Sequence, residues 1–162
     1  MPSLRSKIAR ILIQKLSGRI VDVELPISVQ RKRLDGMAKF SSLPRGVTVE
    51  SISIAGMDGL WVTPKKHDNS QVILYLHGGA YNMGSMAYSN AVAAHLGVSA
   101  KAKVLQVSYR KAPEHPYPAA VDDAKRAYQW LLENGYPAKS ICIAGDSAGG
   151  GLALATAIAL RD

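Results

Sequence analysis

Near the end of the 162-residue sequence, Gly145-Asp146-Ser147-Ala148-Gly149-Gly150 sets one hydroxyl among small residues, after an apolar run and before a helix-forming stretch. A serine that attacks a carbonyl has to stand clear of its sheet on a sharp turn between strand and helix. Glycines at 145 and 149 relieve the close backbone approach that such a turn forces. The helix that begins beyond Ser147 aims free N–H groups and a positive dipole end at developing negative charge. Ser147 is therefore the candidate nucleophile, and the N–H of Ala148 a candidate oxyanion donor. A GxSxG pattern arises by chance in a chain of this length with a probability of about 0.05. It is the strand-turn-helix setting that gives the pattern its weight.

A second donor should come from the loop after a neighbouring strand, and His77-Gly78-Gly79-Ala80 follows the apolar run Val72 to Leu76. Two glycines let the backbone turn its amides into a site. The donors are expected at Gly78 and Gly79, with His77 orienting the loop rather than acting as a base. Alanine at 80 is no obstacle, since a backbone donor is needed. Taken alone, the loop also reads as a flexible glycine turn with a satisfied histidine. Neither glycine-rich stretch continues into a Walker lysine, and position 147 is Ser where a dinucleotide fingerprint needs Gly, so phosphate-binding readings are set aside.

From Gln71 the pattern is strand, loop, helix, repeated. Short apolar runs at Val72 to Leu76, Val104 to Val107 and Ile141 to Ala144 suit parallel strands covered on both faces. Helices are expected from about Tyr88 to Ala100, from Pro118 to Glu133, and from near Ser147 onward. Before them, Val47, Val49, Ile52 and Ile54, then Leu60 to Val62 across Gly56-Met57-Asp58-Gly59, read as an antiparallel hairpin at a sheet edge. A helix from Ser28 to about Ser41 would be capped by Ser28, with Leu34, Met37 and Phe40 on one face. Cys142, the only cysteine, forms no disulfide within the chain and reads as a small core residue.

The net charge of +8 is concentrated at one end: residues 1–45 carry ten Lys and Arg against Asp22, Glu24 and Asp35, which leaves the rest nearly neutral. Ser3 to Leu16 reads as a basic amphipathic helix. It is either a solvated basic face over an apolar contact or a weak contact with an acidic membrane surface or partner. Nucleic-acid binding ranks last, because interleaved aromatics are lacking. No apolar run approaches the roughly 20 residues of a membrane-spanning helix, and no signal-peptide stretch is recognisable; a cytoplasmic location is the expectation.

HGGA at 77–80, YRKAPEHPYPAA at 109–120 and GDSAGGG at 145–151, in that order, resemble the hormone-sensitive-lipase-like carboxylesterases. The resemblance implies an α/β-hydrolase fold: a mostly parallel sheet with helices on both faces and an N-terminal antiparallel hairpin. It makes residues 1–45 a helical cap segment and 46–162 the N-terminal part of the core, with further C-terminal strands missing. It also implies hydrolysis of small carboxylic esters with Ser147 as nucleophile and Gly78, Gly79 and Ala148 as oxyanion donors, without metal or cofactor. Pro113, Pro116 and Pro118 would stiffen their loop, and Glu114 and His115 would fix it. The sequence departs from the family pattern in one respect. The acid and histidine partners should follow the serine, yet His67, His77, His95 and His115 all precede it and only Asp162 comes after. The chain alone is thus expected to be inactive or nearly so. The alternatives are a receptor-like protein that binds a ligand on this fold, and a truncated product that only binds.

Overall fold

The computed structural model describes Ser3, Ser6, Arg10 and residues 24–161. Apart from those three residues, the helix expected over Ser3 to Leu16 lies outside the described residues. Five strands form one mixed sheet in the order β1-β2-β4-β3-β5. The edge hairpin joins β1 (Val47–Ile54) to β2 (Met57–Pro64). Its turn is Ala55-Gly56, not the four residues from Gly56 to Gly59, because Met57 and Asp58 already pair with Ile54 and Ser53. Both turn residues have positive φ, 48° and 82°, the geometry whose twist suits a two-residue hairpin.

β2 pairs antiparallel with β4 (Ala102–Val107), which runs parallel to β3 (Asp68–Leu76). β3 in turn runs parallel to β5 (Ile141–Gly145), so the two strands that precede the glycine loop and the serine turn are immediate neighbours. Val72 to Leu76 of β3 and Val104 to Val107 of β4 are buried on both sides, as strands in a sheet covered by helices are. On one face, Val62, Ile73, Tyr75 and Val104 pack with Ala93 and Ala94 of α2 (Met86–Ala100). On the other, Leu74, Leu76, Leu105 and Val107 pack with Ala124, Ala127 and Leu131 of α3 (Ala119–Glu133) and Leu152 of α4 (Ala148–Arg161).

Three local expectations are corrected. Helix α1 (Ile27–Asp35) starts a residue before Ser28, since the Pro26 carbonyl already accepts the N–H groups of Val29 and Gln30. At Gly36 it tightens into a 3-10 helix ending at Phe40, which changes the phase of the face: Leu34 is buried and Phe40 exposed. Cys142 is exposed rather than in the core. Its side chain alternates with those of Ile141 and Ile143, and on its face α2 packs over β2 and β4, leaving β5 uncovered.

Candidate active site

Ser147 stands between the last residue of β5 and the first turn of α4, at φ +50°. That left-handed conformation is strained for a residue with a side chain, and it is what turns the hydroxyl away from the sheet. The turn is tight because α4 begins directly against β3. A Cβ on Gly149 would collide with the carbonyl oxygen of Leu76, and one on Gly145 with the carbonyl of Gly149. The Asp146 carbonyl takes the N–H groups of Gly149 and Gly150 at 2.8 and 3.3 Å, closing the first turn of the helix.

The glycine loop is held peptide by peptide. The carbonyl of Gly78 accepts a hydrogen bond from Nδ1 of His77 at 2.8 Å. The carbonyl of Gly79 accepts from the N–H groups of Asn82 and Met83 at 3.1 and 2.8 Å. In a trans peptide the N–H points opposite to the C=O, so these two anchors turn the amides of Gly79 and Ala80 away from the loop's own turn. Gly79 has φ +132°, and a Cβ there would strike the Met83 carbonyl, which restricts the position to glycine. Among the described residues, no hydrogen bond takes up the N–H of Gly79, Ala80 or Ala148. The expectation of a donor at Gly78 is corrected: its N–H is committed to Oδ1 of Asp146 at 2.8 Å. The N–H left free is that of Ala80, at φ +52°, and nothing in residue type marked it out, since only a backbone group is involved.

Asp146 ties the two loops together, because the same Oδ1 accepts the hydroxyl of Tyr75 at 2.7 Å. Burial, and then this bond to the carboxylate, push the Tyr75 hydroxyl well above its ordinary range. His77 is buried, stacked on Tyr109 with ring centroids 4.4 Å apart, and the Tyr109 hydroxyl donates to its carbonyl at 2.6 Å. Burial lowers the His77 pKa and favours the neutral ring. Through Nδ1 it holds the Gly78 carbonyl, which fixes the start of the loop. The stiff stretch after β4 is fixed by Glu114, whose two carboxylate oxygens accept from the Arg31 guanidinium at 2.7 and 2.8 Å. The Arg31 bonds push the Glu114 carboxyl down to about 2.

Ser147, Asp146, Gly78, Gly79 and Ala80 line one cavity of about 270 Å³, with Leu34 and Tyr88 among its apolar walls. None of the four histidines lines it. A larger apolar hollow of about 400 Å³, between Tyr81, Tyr117 and Ala155, contains neither Ser147 nor the free amides. The smaller cavity thus brings a serine hydroxyl and free backbone N–H groups to one place, an arrangement that can hold an oxyanion.

A family model for the alpha/beta hydrolase fold matches residues 73–162. The chain is 50% identical over 102 residues to an acetyl-hydrolase of Streptomyces hygroscopicus, covering 63% of this chain and 34% of that protein. It is 37% identical over 148 residues to carboxylesterase NlhH of Mycobacterium tuberculosis, covering 84% and 46%. Among solved structures, an esterase from the bacterial hormone-sensitive lipase family superposes with a TM-score of 0.88 at 35% identity, covering 99% of this chain and 54% of that one. The chain thus spans from about a third to about half of the length of these relatives.

Proposed function

Because the chain belongs to the α/β-hydrolase fold family, among the hormone-sensitive-lipase-like carboxylesterases, we propose that it carries the nucleophile and oxyanion machinery of a carboxylic-ester hydrolase. Ser147 Oγ attacks the ester carbonyl, and the oxygen that becomes negative is held by the N–H groups of Gly79, Ala80 and Ala148. The alcohol leaves with a proton, and water then cleaves the acyl-serine to release the acid. The observation that supports this most is the pairing, in one cavity, of a strained serine turn with a loop whose carbonyls are anchored and whose amides are free.

Residues 1–45 act as the helical cap segment in this reading, and 46–162 as the N-terminal part of the core. The general base of this fold follows the serine in sequence, and no histidine follows Ser147 here. The 162-residue chain by itself therefore turns over far below an esterase, keeping the residual acceleration of about a thousandfold over water that an oxyanion site and binding supply alone. The test is acylation of the chain by p-nitrophenyl acetate followed by mass spectrometry. Slow acetylation at Ser147, absent in Ser147→Ala, supports the reading. Saturable binding of the ester with no acylation at all favours the receptor-like alternative.

A further inference from the structure

We propose that Arg31, on helix α1, is a positioning residue that holds the amide donors of the glycine loop in register with Ser147. The side chain forks across two segments that are far from it, and from each other, in sequence. Nε donates to the carbonyl of Asn82 at 2.7 Å, and Nη2 donates to the carbonyl of Ala112 at 2.8 Å. Nη1 and Nη2 grip the two carboxylate oxygens of Glu114. Asn82 is the residue whose own N–H, together with that of Met83, holds the Gly79 carbonyl. The line of force is therefore short: guanidinium to Asn82 carbonyl, Asn82 amide to Gly79 carbonyl, and the opposite edge of that same peptide is the free N–H of Ala80.

The fork also fastens this turn to the stretch after β4, because the N–H of Ala112 donates to the Tyr81 carbonyl at 2.9 Å. Planar, charge-assisted, paired hydrogen bonds hold geometry as well as contributing energy, and a lysine cannot reproduce them. Helix α1 has a second anchor, the Asp35 carboxylate, which accepts the hydroxyl of Ser85 at 2.6 Å, while Leu34 between them lines the Ser147 cavity. Docking of the N-terminal helix and the aim of the donors are thereby one event. Sequence spacing gives no hint of this, since the partners of Arg31 lie 51 to 83 residues away.

The catalytic side of this inference rests on the hydrolase reading, so the test has two readouts. The first is amide exchange by NMR at Asn82 and Met83, which needs no activity. The second is acylation of Ser147 by p-nitrophenyl acetate, split into its limiting rate and half-saturating concentration. In Arg31→Ala, exchange at Asn82 and Met83 rises at least about tenfold while β3 and β5 amides stay protected. The limiting rate falls about tenfold with the half-saturating concentration unchanged. Arg31→Lys and Glu114→Gln fall between wild type and Arg31→Ala in both, and they carry the comparison if Arg31→Ala does not fold. Unchanged exchange at Asn82 and Met83, a loss of protection spread through the sheet, or a rise in half-saturation in place of a lower rate overturns the proposal. A wild-type chain whose Ser147 is never acylated sinks the hydrolase reading instead, and the exchange data then decide the positioning by themselves.

Discussion

The carboxylate of Asp146 accepts the backbone N–H of Gly78 at 2.8 Å, so the residue before Ser147 holds the first glycine of the opposing loop. The same oxygen satisfies Tyr75, which makes it the hinge between β3, the glycine loop and the serine turn.

Asp146→Ala leaves two buried or half-buried donors without an acceptor, at a cost of about 1–3 kcal/mol for each. Asp146→Asn keeps an oxygen in place and loses only the charge. The expected order of urea midpoints and of Ser147 acylation rates is wild type, then Asn, then Ala. Equal behaviour of Ala and wild type in both measurements would remove Asp146 from the account.

The strained serine offers a separation of stability from chemistry. Ser147→Gly relieves the φ +50° conformation and should stabilise the fold by about 1 kcal/mol while abolishing acylation. Gly149→Ala, by contrast, drives a methyl into the Leu76 and His77 carbonyls and should cost about 3 kcal/mol. Denaturant unfolding of the two variants checks both signs.

The Arg31 fork should be visible in a titration. Glu114 ionises at about 2 instead of its ordinary 4.5. Because the folded-state pKa is depressed, the stabilisation from the pair is complete above 4.5 and disappears as pH falls toward 2. An NMR titration of the Glu114 carboxyl should give a midpoint near 2 in the wild type, and Arg31→Ala should return it toward 4.5. A wild-type midpoint already near 4.5 would show that the fork does not persist in solution.

His77 gives a dependence in a different window. Burial lowers its pKa from 6.5, so below that pH the unfolded chain takes up a proton that the folded chain refuses, and stability falls with pH. His77→Gln removes this contribution. Urea midpoints at pH 7 and pH 5 should therefore drop more in the wild type than in the variant.

Much of this was legible in the sequence because it rests on local pattern. The apolar runs located β3, β4 and β5, and GDSAGG marked the serine turn by the small residues such a turn needs. The hydrogen-bond economy of the site was not legible. Gly78 looked like a donor by residue type, and only its pairing with Asp146 shows that its amide is spent. Arg31 is one of ten Lys and Arg in residues 1–45, and nothing local distinguishes it from Lys32 or Arg33. The errors at Cys142 and Phe40 share a cause: alternation and helical phase assign a face, but they do not say whether another element covers it.

Leu76 lies directly across from Gly145 in the β3–β5 ladder, one residue before His77 and one before Asp146. The sheet therefore works as a ruler between the glycine loop and the serine turn. A slip of a single rung would carry the amide-bearing loop about 3.3 Å past the hydroxyl and reverse which way every side chain of the strand points. That distance exceeds any hydrogen-bond tolerance. Alignment of the Ser147 hydroxyl with the free amides is thus written into the interior packing that fixes this rung, and a substitution at buried Leu74 should shift it without touching either loop.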